Sequence, residues 1–316
     1  MADTDITSPT VLVTGPTRGL GAALVDALAA HRSRPRLVLA GRDPATLGAS
    51  AKRARATGAV VDEVVVDLLD LDAVAAAAAG VVDAVTAGTL PALDVVVANA
   101  GIQYQDRHHT GAQGHEATFT VNVLAQHALV RGLLPALAPA AHVVLLGSSS
   151  HRGRAATFGL LPSPAWRDPA ELAAPDTTPA GATATAGGRA YADSKLALVT
   201  LAQRWARELP APHRLSVYDP GLVPGTGLGR HMPAYKRWVW ENLMPAMQVL
   251  PGAASARRSA GHLAGLALGD THAGLHGAYV ELGRVRATAP PTYDRARQDR
   301  LWQVCEELTR AVPARR

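Results

Sequence analysis

The sequence predicts an α/β protein with a single parallel, doubly wound sheet and helices on both of its faces. Three observations predict this fold class. Short apolar runs rich in Val and Leu alternate along the chain with helical patterns. A glycine-rich turn joins the first run directly to the first helix. Polar residues follow several runs at their carboxyl ends, where the ligands of such sheets bind.

Length and composition limit the classes of protein that fit. A chain of 316 residues suits one large α/β domain over residues 1–316, with a short tail over 1–9. The chain has no run of eighteen apolar residues and no secretion signal at its start, so we expect no membrane span and a cytoplasmic location. The net charge is +5, but the arginines are scattered, so we expect no nucleic-acid partner. With Cys305 as the single cysteine, no Cys/His metal pattern arises, and we expect no metal.

The first strand and the turn after it predict a site for a nucleotide. Residues 10–14 form a β-branched apolar run, and an alanine-rich helical pattern follows the turn. Backbone N–H groups at the start of such a helix bind anions, and glycines let a pyrophosphate approach closely. A tight structural turn is the alternative. We expect six residues of the turn to bind the nucleotide: Gly15, Thr17, Arg18, Gly19, Leu20 and Gly21.

Arg42 indicates which nucleotide this is. It follows the second apolar run, residues 37–40, where the second strand of a βαβ unit meets the adenosine ribose. An acidic residue at this place would bind the ribose hydroxyl, whereas a guanidinium binds a 2′-phosphate. Arg18 adds a second cation near the same region. The sequence therefore favours NADP(H) over NAD, unless both arginines are merely solvated surface charges.

Later strands place further polar residues at the same edge of the sheet. The run of residues 60–68 contains a predicted third strand that ends at Asp67. The run of residues 94–101 contains a predicted fourth strand that ends at Asn99. Residues 141–146 and 213–218 predict a fifth and a sixth, and residues 277–282 a seventh strand at the edge of the sheet. From these strand ends we expect contacts of the nucleotide with Asp67, Leu68, Asn99, Ala100 and Gly101. An ordinary turn or cap is the alternative for the Asx residues.

Tyr191 and Lys195 form the most informative pair. On a helix, residues four apart place the phenol and the ammonium one turn apart on the same face. A nearby cation lowers the pKa of a phenol from its ordinary value of about 10. The pair therefore predicts a general acid or base, although a surface pair has the same spacing. Asn122, on an apolar helical stripe over 116–134, indicates a kink or a water site.

Three segments lack a place in the regular pattern. Residues 152–189 are rich in Pro, Ala, Thr and Gly and predict a long loop insertion. Residues 222–250 gather aromatic and Met side chains and predict a lid over an apolar substrate, or alternatively core or dimer contacts. Residues 284–316 predict a C-terminal extension with a helix over 293–311.

Three motifs in this order resemble the short-chain dehydrogenase/reductase family, which has a Rossmann fold. Residues 14–21 resemble its Thr-Gly-x-x-x-Gly-x-Gly turn, residues 99–101 its Asn-Ala-Gly strand end, and Tyr191 with Lys195 its Tyr-x-x-x-Lys pair. The resemblance covers nearly the whole chain. It also matches Asn122 to the asparagine of the family helix and Ser148 to the serine at the end of the fifth strand.

The resemblance implies a catalytic set of Asn122, Ser148, Tyr191 and Lys195. In that scheme Tyr191 gives a proton to the substrate oxygen and Ser148 holds that oxygen. Lys195 lowers the phenol pKa and holds the nicotinamide ribose, and Asn122 anchors a water that links Lys195 to solvent. The resemblance also implies contacts of the nucleotide with Tyr191 and Lys195 and, at the turn beside the nicotinamide, with Pro220, Gly221 and Val223. The implied partners are a small carbonyl or alcohol substrate and, as is usual in the family, a homodimer or homotetramer.

Within the family, the chain looks most like the branch of retinol dehydrogenases and light-dependent protochlorophyllide reductases. This rests on the wide gap from Ser148 to Tyr191, residues 226–231 and residues 301–308. Leu222 stands where the reductases carry a cysteine, and Gly225 where family members often have a threonine. We therefore expect an NADP-dependent carbonyl reductase or alcohol dehydrogenase acting on a mainly apolar, polycyclic substrate. The alternatives are a non-catalytic NADP(H) sensor and a biosynthetic C=C reductase or epimerase.

Overall fold

The computed structural model describes residues 8–223 and 254–310, and its centre is a single sheet. Within the described residues the strand order is β3-β2-β1-β4-β5-β6-β7-β8. Neighbouring strands run parallel, except that β8 pairs antiparallel with β7. The strands are β1 (Thr10–Thr14), β2 (Arg36–Gly41), β3 (Val61–Val65), β4 (Leu93–Ala98), β5 (Leu137–Leu146), β6 (Arg214–Asp219), β7 (Ala278–Glu281) and β8 (Arg284–Arg286).

Helices connect the strands and cover both faces of the sheet. The longer ones are α1 (Gly19–Ala29), α2 (Pro44–Arg55), α3 (Leu71–Thr86), α4 (Ala125–Leu133), α5 (Pro169–Ala173), α6 (Ala184–Glu208), α7 (Ala256–Ala267) and α8 (Arg295–Leu308). One core packs α3, α4, α6 and α8 against the sheet, and a second core packs α1, α2 and α7 against the opposite face. This arrangement confirms the predicted fold class.

The strands and helices follow from local sequence. Residues of β1 alternate between the two cores, because successive side chains of a strand point to opposite faces: Leu12 lies in one core, and Val11 and Val13 lie in the other. Helix α2 begins where the Asp43 side chain accepts a hydrogen bond from the Thr46 backbone N–H at 2.8 Å. Comparable Asp and Thr caps begin α3, α6 and α8.

The structure corrects four predicted boundaries. β7 is not the edge of the sheet, because β8 extends it, so the predicted C-terminal extension contributes a strand. The third strand ends at Val65, two residues before Asp67. Residues 184–189 of the predicted loop are the first turns of α6, where a Thr183 cap outweighs the two glycines at 187–188. The C-terminal helix covers Arg295–Leu308 only.

The remainder of the predicted loop is anchored at several points. Its helix α5 begins at an Asp168 cap, and the Arg300 guanidinium of α8 donates twice to the Asp168 carboxylate, at 2.8 and 3.0 Å. The buried Asp193 carboxylate on α6 accepts hydrogen bonds from the Ala165 N–H at 2.8 Å and from Arg167 at 3.0 Å. The insertion is therefore tied both to the helix that carries Tyr191 and to the C-terminal helix.

Some predictions fall outside the described residues. These are the tail except Ser8 and Pro9, the lid except Leu222 and Val223, and the motif over 226–231. In the part of the chain that is described, no helix is long and apolar enough to cross a membrane, and no group of three or more His, Cys, Asp or Glu side chains could hold a metal ion. Cys305 is buried in α8 as a free thiol.

Candidate active site

A groove of about 510 Å³ runs along the carboxyl ends of β1, β2, β4, β5 and β6, on both sides of the point where the strand order reverses. This is where open parallel sheets bind their ligands, and the size is typical of a ligand pocket. Of the residues named from the sequence, all except Asn122 line this groove. They are Gly15, Thr17, Arg18, Gly19, Leu20, Gly21, Arg42, Asp67, Leu68, Asn99, Ala100, Gly101, Ser148, Tyr191, Lys195, Pro220, Gly221 and Val223.

The turn after β1 is held tightly against the end of β4. Gly15 has a φ of +65°, and a Cβ on it would lie 3.1 Å from the Ala100 Cα. The Asn99 side chain donates to the Thr14 carbonyl at 2.9 Å and to the Gly15 carbonyl at 3.2 Å. The Thr14 hydroxyl in turn accepts from the Ala100 N–H at 2.9 Å. At Gly15, Gly19 and Gly21 the backbone itself therefore forms the wall of the groove at the start of α1.

The side chains after β2 and β3 meet at one end of the groove. The Arg42 guanidinium is 59% exposed and lies 4.0 Å from the Asp67 carboxylate. Arg18 from the glycine turn and Thr46 from the first turn of α2 line the same end. Arg18 and Arg42 therefore line one groove, their binding of a nucleotide stays a prediction, and Asp67 is a neighbour that partly neutralises Arg42.

The other end of the groove carries three groups suited to proton chemistry. The Ser148 hydroxyl, just after β5, lies near enough to the Tyr191 phenol to lower its pKa. The Lys195 ammonium donates to the Leu146 carbonyl at 2.7 Å and lies 5.8 Å from the centre of the Tyr191 ring. Tyr191 and Lys195 are 6% and 3% exposed, so both groups are nearly buried at the groove wall.

The prediction of a lowered pKa for Tyr191 is wrong for the protein without a bound nucleotide. Burial raises the pKa of Tyr191 to about 12, the Asp219 carboxylate also raises it, and the nearby Ser148 hydroxyl lowers it. Burial lowers the pKa of Lys195 to about 8, against the raising effect of Asp219. Desolvation is the largest cause of both shifts, and with a pKa of about 12 the phenol keeps its proton in the neutral range.

Asn122 supports the site from behind. It lies in a π-helical turn, Thr120–Leu124, which is the kind of irregularity that its position indicated. Its side-chain oxygen accepts from the Ile102 N–H at 2.9 Å, and its amide donates to the Ile102 carbonyl and to the Ser194 hydroxyl, both at 3.0 Å. Asn122 thus fixes the segment after β4 to the helix of Tyr191. Its predicted water-anchoring role stays a prediction.

Sequence reasoning missed the carboxylate of Asp219, which lies just before the Pro220–Gly221 turn. One oxygen accepts from the Gly221 N–H at 2.9 Å and the other from the Tyr279 hydroxyl at 2.5 Å. Burial raises the pKa of Asp219 to about 6, and the Tyr279 bond lowers it. An Asp-Pro-Gly run reads as an ordinary turn, and the Tyr279 partner is 60 residues away.

Comparison with known proteins identifies the family. The sequence model described as short chain dehydrogenase matches residues 9–160. A protein of Streptomyces sp. (strain C5), provisionally named daunorubicin C-13 ketoreductase DnrU, is 30% identical over 295 residues, which cover 93% of this chain and 90% of that protein. The chain belongs to the short-chain dehydrogenase/reductase family and is therefore an oxidoreductase by family.

Solved structures share the fold. The blue fluorescent protein from a metagenomic library, in complex with NADPH, is 23% identical with a TM-score of 0.62, and the match covers 89% of this chain and 99% of that one. A metagenomic short-chain oxidoreductase in complex with NADP is 25% identical with a TM-score of 0.55, and the match covers 83% and 91% of the two chains. Both likenesses support the doubly wound sheet described above.

The packing around Gly21 generates a test. A Cβ at this position would lie 2.0 Å from the Gly15 carbonyl oxygen and 2.7 Å from the Asn99 amide, so Gly21→Ala forces the turn apart. We expect the free energy of unfolding to fall by about 1–3 kcal/mol, measured by urea denaturation. Gly80→Ala is the control: it lies within α3 with no atom inside 4 Å, and we expect it to be neutral or to stabilise by up to about 1 kcal/mol. Equal effects of the two substitutions would contradict the packing described for the turn.

Proposed function

We propose that the protein is an NADPH-dependent carbonyl reductase for a mainly apolar, polycyclic ketone or aldehyde. The observation that carries the proposal is the meeting of the Ser148 hydroxyl and the Tyr191 phenol in the groove, with the Lys195 ammonium one helical turn away. Two hydroxyls that converge on one point of a ligand groove suit the stabilisation of a carbonyl oxygen. A protein that only senses a nucleotide has no need of this pair.

The groove fits the nucleotide. The glycine turn offers a bare backbone and the start of α1 to a pyrophosphate, and Arg18 and Arg42 offer guanidinium groups to a 2′-phosphate. Two solved structures of the same fold contain NADPH or NADP, which supports the same choice here. Near Ser148, Gly147 and the Pro220–Gly221 turn shape the end where the nicotinamide would lie. When bound, NADPH supplies the hydride.

The side chains of the protein handle the proton. As the carbonyl carbon receives hydride, its oxygen takes the proton from the Tyr191 hydroxyl and becomes an alcohol. The Ser148 hydroxyl donates a hydrogen bond to the same oxygen while negative charge develops there. The Lys195 ammonium then stabilises the phenolate that remains, because an opposite charge nearby favours the ionised form. A proton from solvent restores the phenol.

The pKa of Tyr191 favours reduction over oxidation. With its pKa raised by burial to about 12, the phenol is protonated at neutral pH and is ready to act as a donor. Oxidation of an alcohol needs the deprotonated form before the reaction begins. The protein without its nucleotide therefore holds Tyr191 in the protonated form that reduction uses, and Lys195 serves the phenolate after the proton has left.

The substrate class is inferred from the relatives and from segments outside the cofactor end. The name of DnrU describes a ketoreductase that acts at C-13 of daunorubicin, and this chain matches it over nearly its whole length. Within the family we place the protein near the retinol dehydrogenases. The 152–183 insertion anchored to α6 and the C-terminal helix that packs beside it support that finer assignment.

Tyr191→Phe tests the proton donor. The substitution removes the hydroxyl and keeps the ring that fills the groove wall, so we expect kcat for a bulky ketone to fall by about 10²–10⁴-fold. The dissociation constant for NADPH, measured by quenching of its fluorescence, should change little. Tyr293→Phe, at an exposed tyrosine outside the groove, is the matched control and should keep full activity. Full activity of Tyr191→Phe would show that another group donates the proton.

Arg42→Ala tests the choice of nucleotide. Loss of a guanidinium that binds the 2′-phosphate should weaken NADPH binding about tenfold or more and leave NADH binding nearly unchanged. Titration with both nucleotides measures this directly. Arg53→Ala is the matched control. Arg53 lies on α2, outside the groove, and binds the Asp26 carboxylate of α1, so its loss should leave both affinities unchanged. An unchanged preference in Arg42→Ala would refute the 2′-phosphate assignment.

A further inference from the structure

Gln103 is a nearly buried polar side chain in the groove that the mechanism above does not use. It is 7% exposed and lines the same groove as Ser148 and Tyr191. Its side-chain amide makes no hydrogen bond to any residue within 8–223 and 254–310. Its amide atoms stay accessible within the groove, so both the N–H groups and the oxygen can hydrogen-bond a ligand there.

The neighbouring amides behave differently. Asn99, Asn122 and Gln126 lie around the same stretch of chain, and each donates to backbone carbonyls. Gln126, for example, donates to the Ala100 carbonyl at 3.2 Å and to the Val121 carbonyl at 2.9 Å. These three side chains hold the segment after β4 in place. Gln103 has no such bond, so its amide does not serve to fix this segment.

The segment that carries Gln103 packs along the face of α6 that carries Tyr191. Gly187, Tyr191 and Lys195 are four residues apart and share one face of α6. A Cβ on Gly101 would lie 3.5 Å from the Lys195 ammonium, and a Cβ on Gly187 would lie 2.4 Å from the Tyr104 carbonyl oxygen. The segment from Gly101 to Tyr104 therefore runs along this face from the level of Lys195 to that of Gly187, and Gln103 passes the level of Tyr191.

From this juxtaposition we propose that Gln103 is a specificity-determining residue that binds a hydroxyl group on the carbon next to the reacting carbonyl. An amide both donates and accepts, and so does a hydroxyl, so one substrate hydroxyl satisfies both halves of the Gln103 side chain. The preferred substrates are then α-hydroxyketones. This inference rests on the proposed function, because it names the substrate class of the same groove.

A pair of bicyclic ketones tests the inference: 1-tetralone and 2-hydroxy-1-tetralone, each assayed for NADPH oxidation with the full-length protein. The wild type should show kcat/KM about tenfold higher for the hydroxyketone. In Gln103→Leu and in Gln103→Met this preference should disappear, because kcat/KM falls for the hydroxyketone and changes little for 1-tetralone. Two variants of similar volume are used because one of them alone could suffer a fold defect. Gln303→Leu, at an exposed position of α8, is the control and should keep the preference.

The outcomes separate the inference from the function on which it rests. Equal kcat/KM for the two ketones in the wild type, or a preference that survives both Gln103 substitutions, would overturn the role of Gln103 while carbonyl reduction itself stands. Equal losses for both ketones would assign Gln103 a structural part and overturn the inference as well. Turnover of neither ketone by a wild type that binds NADPH would remove the proposed function, and the inference with it.

Discussion

The buried ammonium of Lys195 is the constraint on which the site depends. A charge removed from water is costly unless it is hydrogen-bonded, and here the Leu146 carbonyl at the end of β5 accepts a bond of 2.7 Å from it. That bond ties the middle of α6 to the edge of the sheet where Ser148 stands. Because Tyr191 lies one turn before Lys195, the same bond fixes the phenol against the Ser148 hydroxyl. The position of the Tyr191 phenol, which we propose as the proton donor, is thus set by the hydrogen bond of the neighbouring Lys195 ammonium.

Small residues make this close approach possible. Gly187 lets the segment after β4 lie against α6, and Gly101 leaves room between the Lys195 ammonium and the Asn122 side chain. Asn122 holds the same segment through Ile102 and holds α6 through Ser194. The groove wall is therefore built by packing and amide bonds behind the reacting groups. Ser148, Tyr191 and Gln103 are among the polar side chains that line the groove in front of this wall.

Local patterns in the sequence predicted much of this arrangement. Strand ends, the glycine turn and the Tyr-x-x-x-Lys spacing are set by residues close together in the chain, and the groove contains nearly every residue named from them. The edge strand β8 was missed because its three residues, Arg284–Arg286, carry no apolar run. The direction of the pKa of Tyr191, the carboxylate of Asp219 and the unbonded amide of Gln103 depend on burial and on partners distant in the chain. No local pattern reports these properties.

A crystal structure of the protein with NADP and an unreactive ketone analogue tests the central claim most directly. The account predicts the oxygen of the analogue within about 3 Å of both the Ser148 hydroxyl and the Tyr191 phenol, with the Lys195 ammonium still on the Leu146 carbonyl. A nucleotide bound outside the groove, or a Tyr191 hydroxyl turned away from the ligand oxygen, would contradict it.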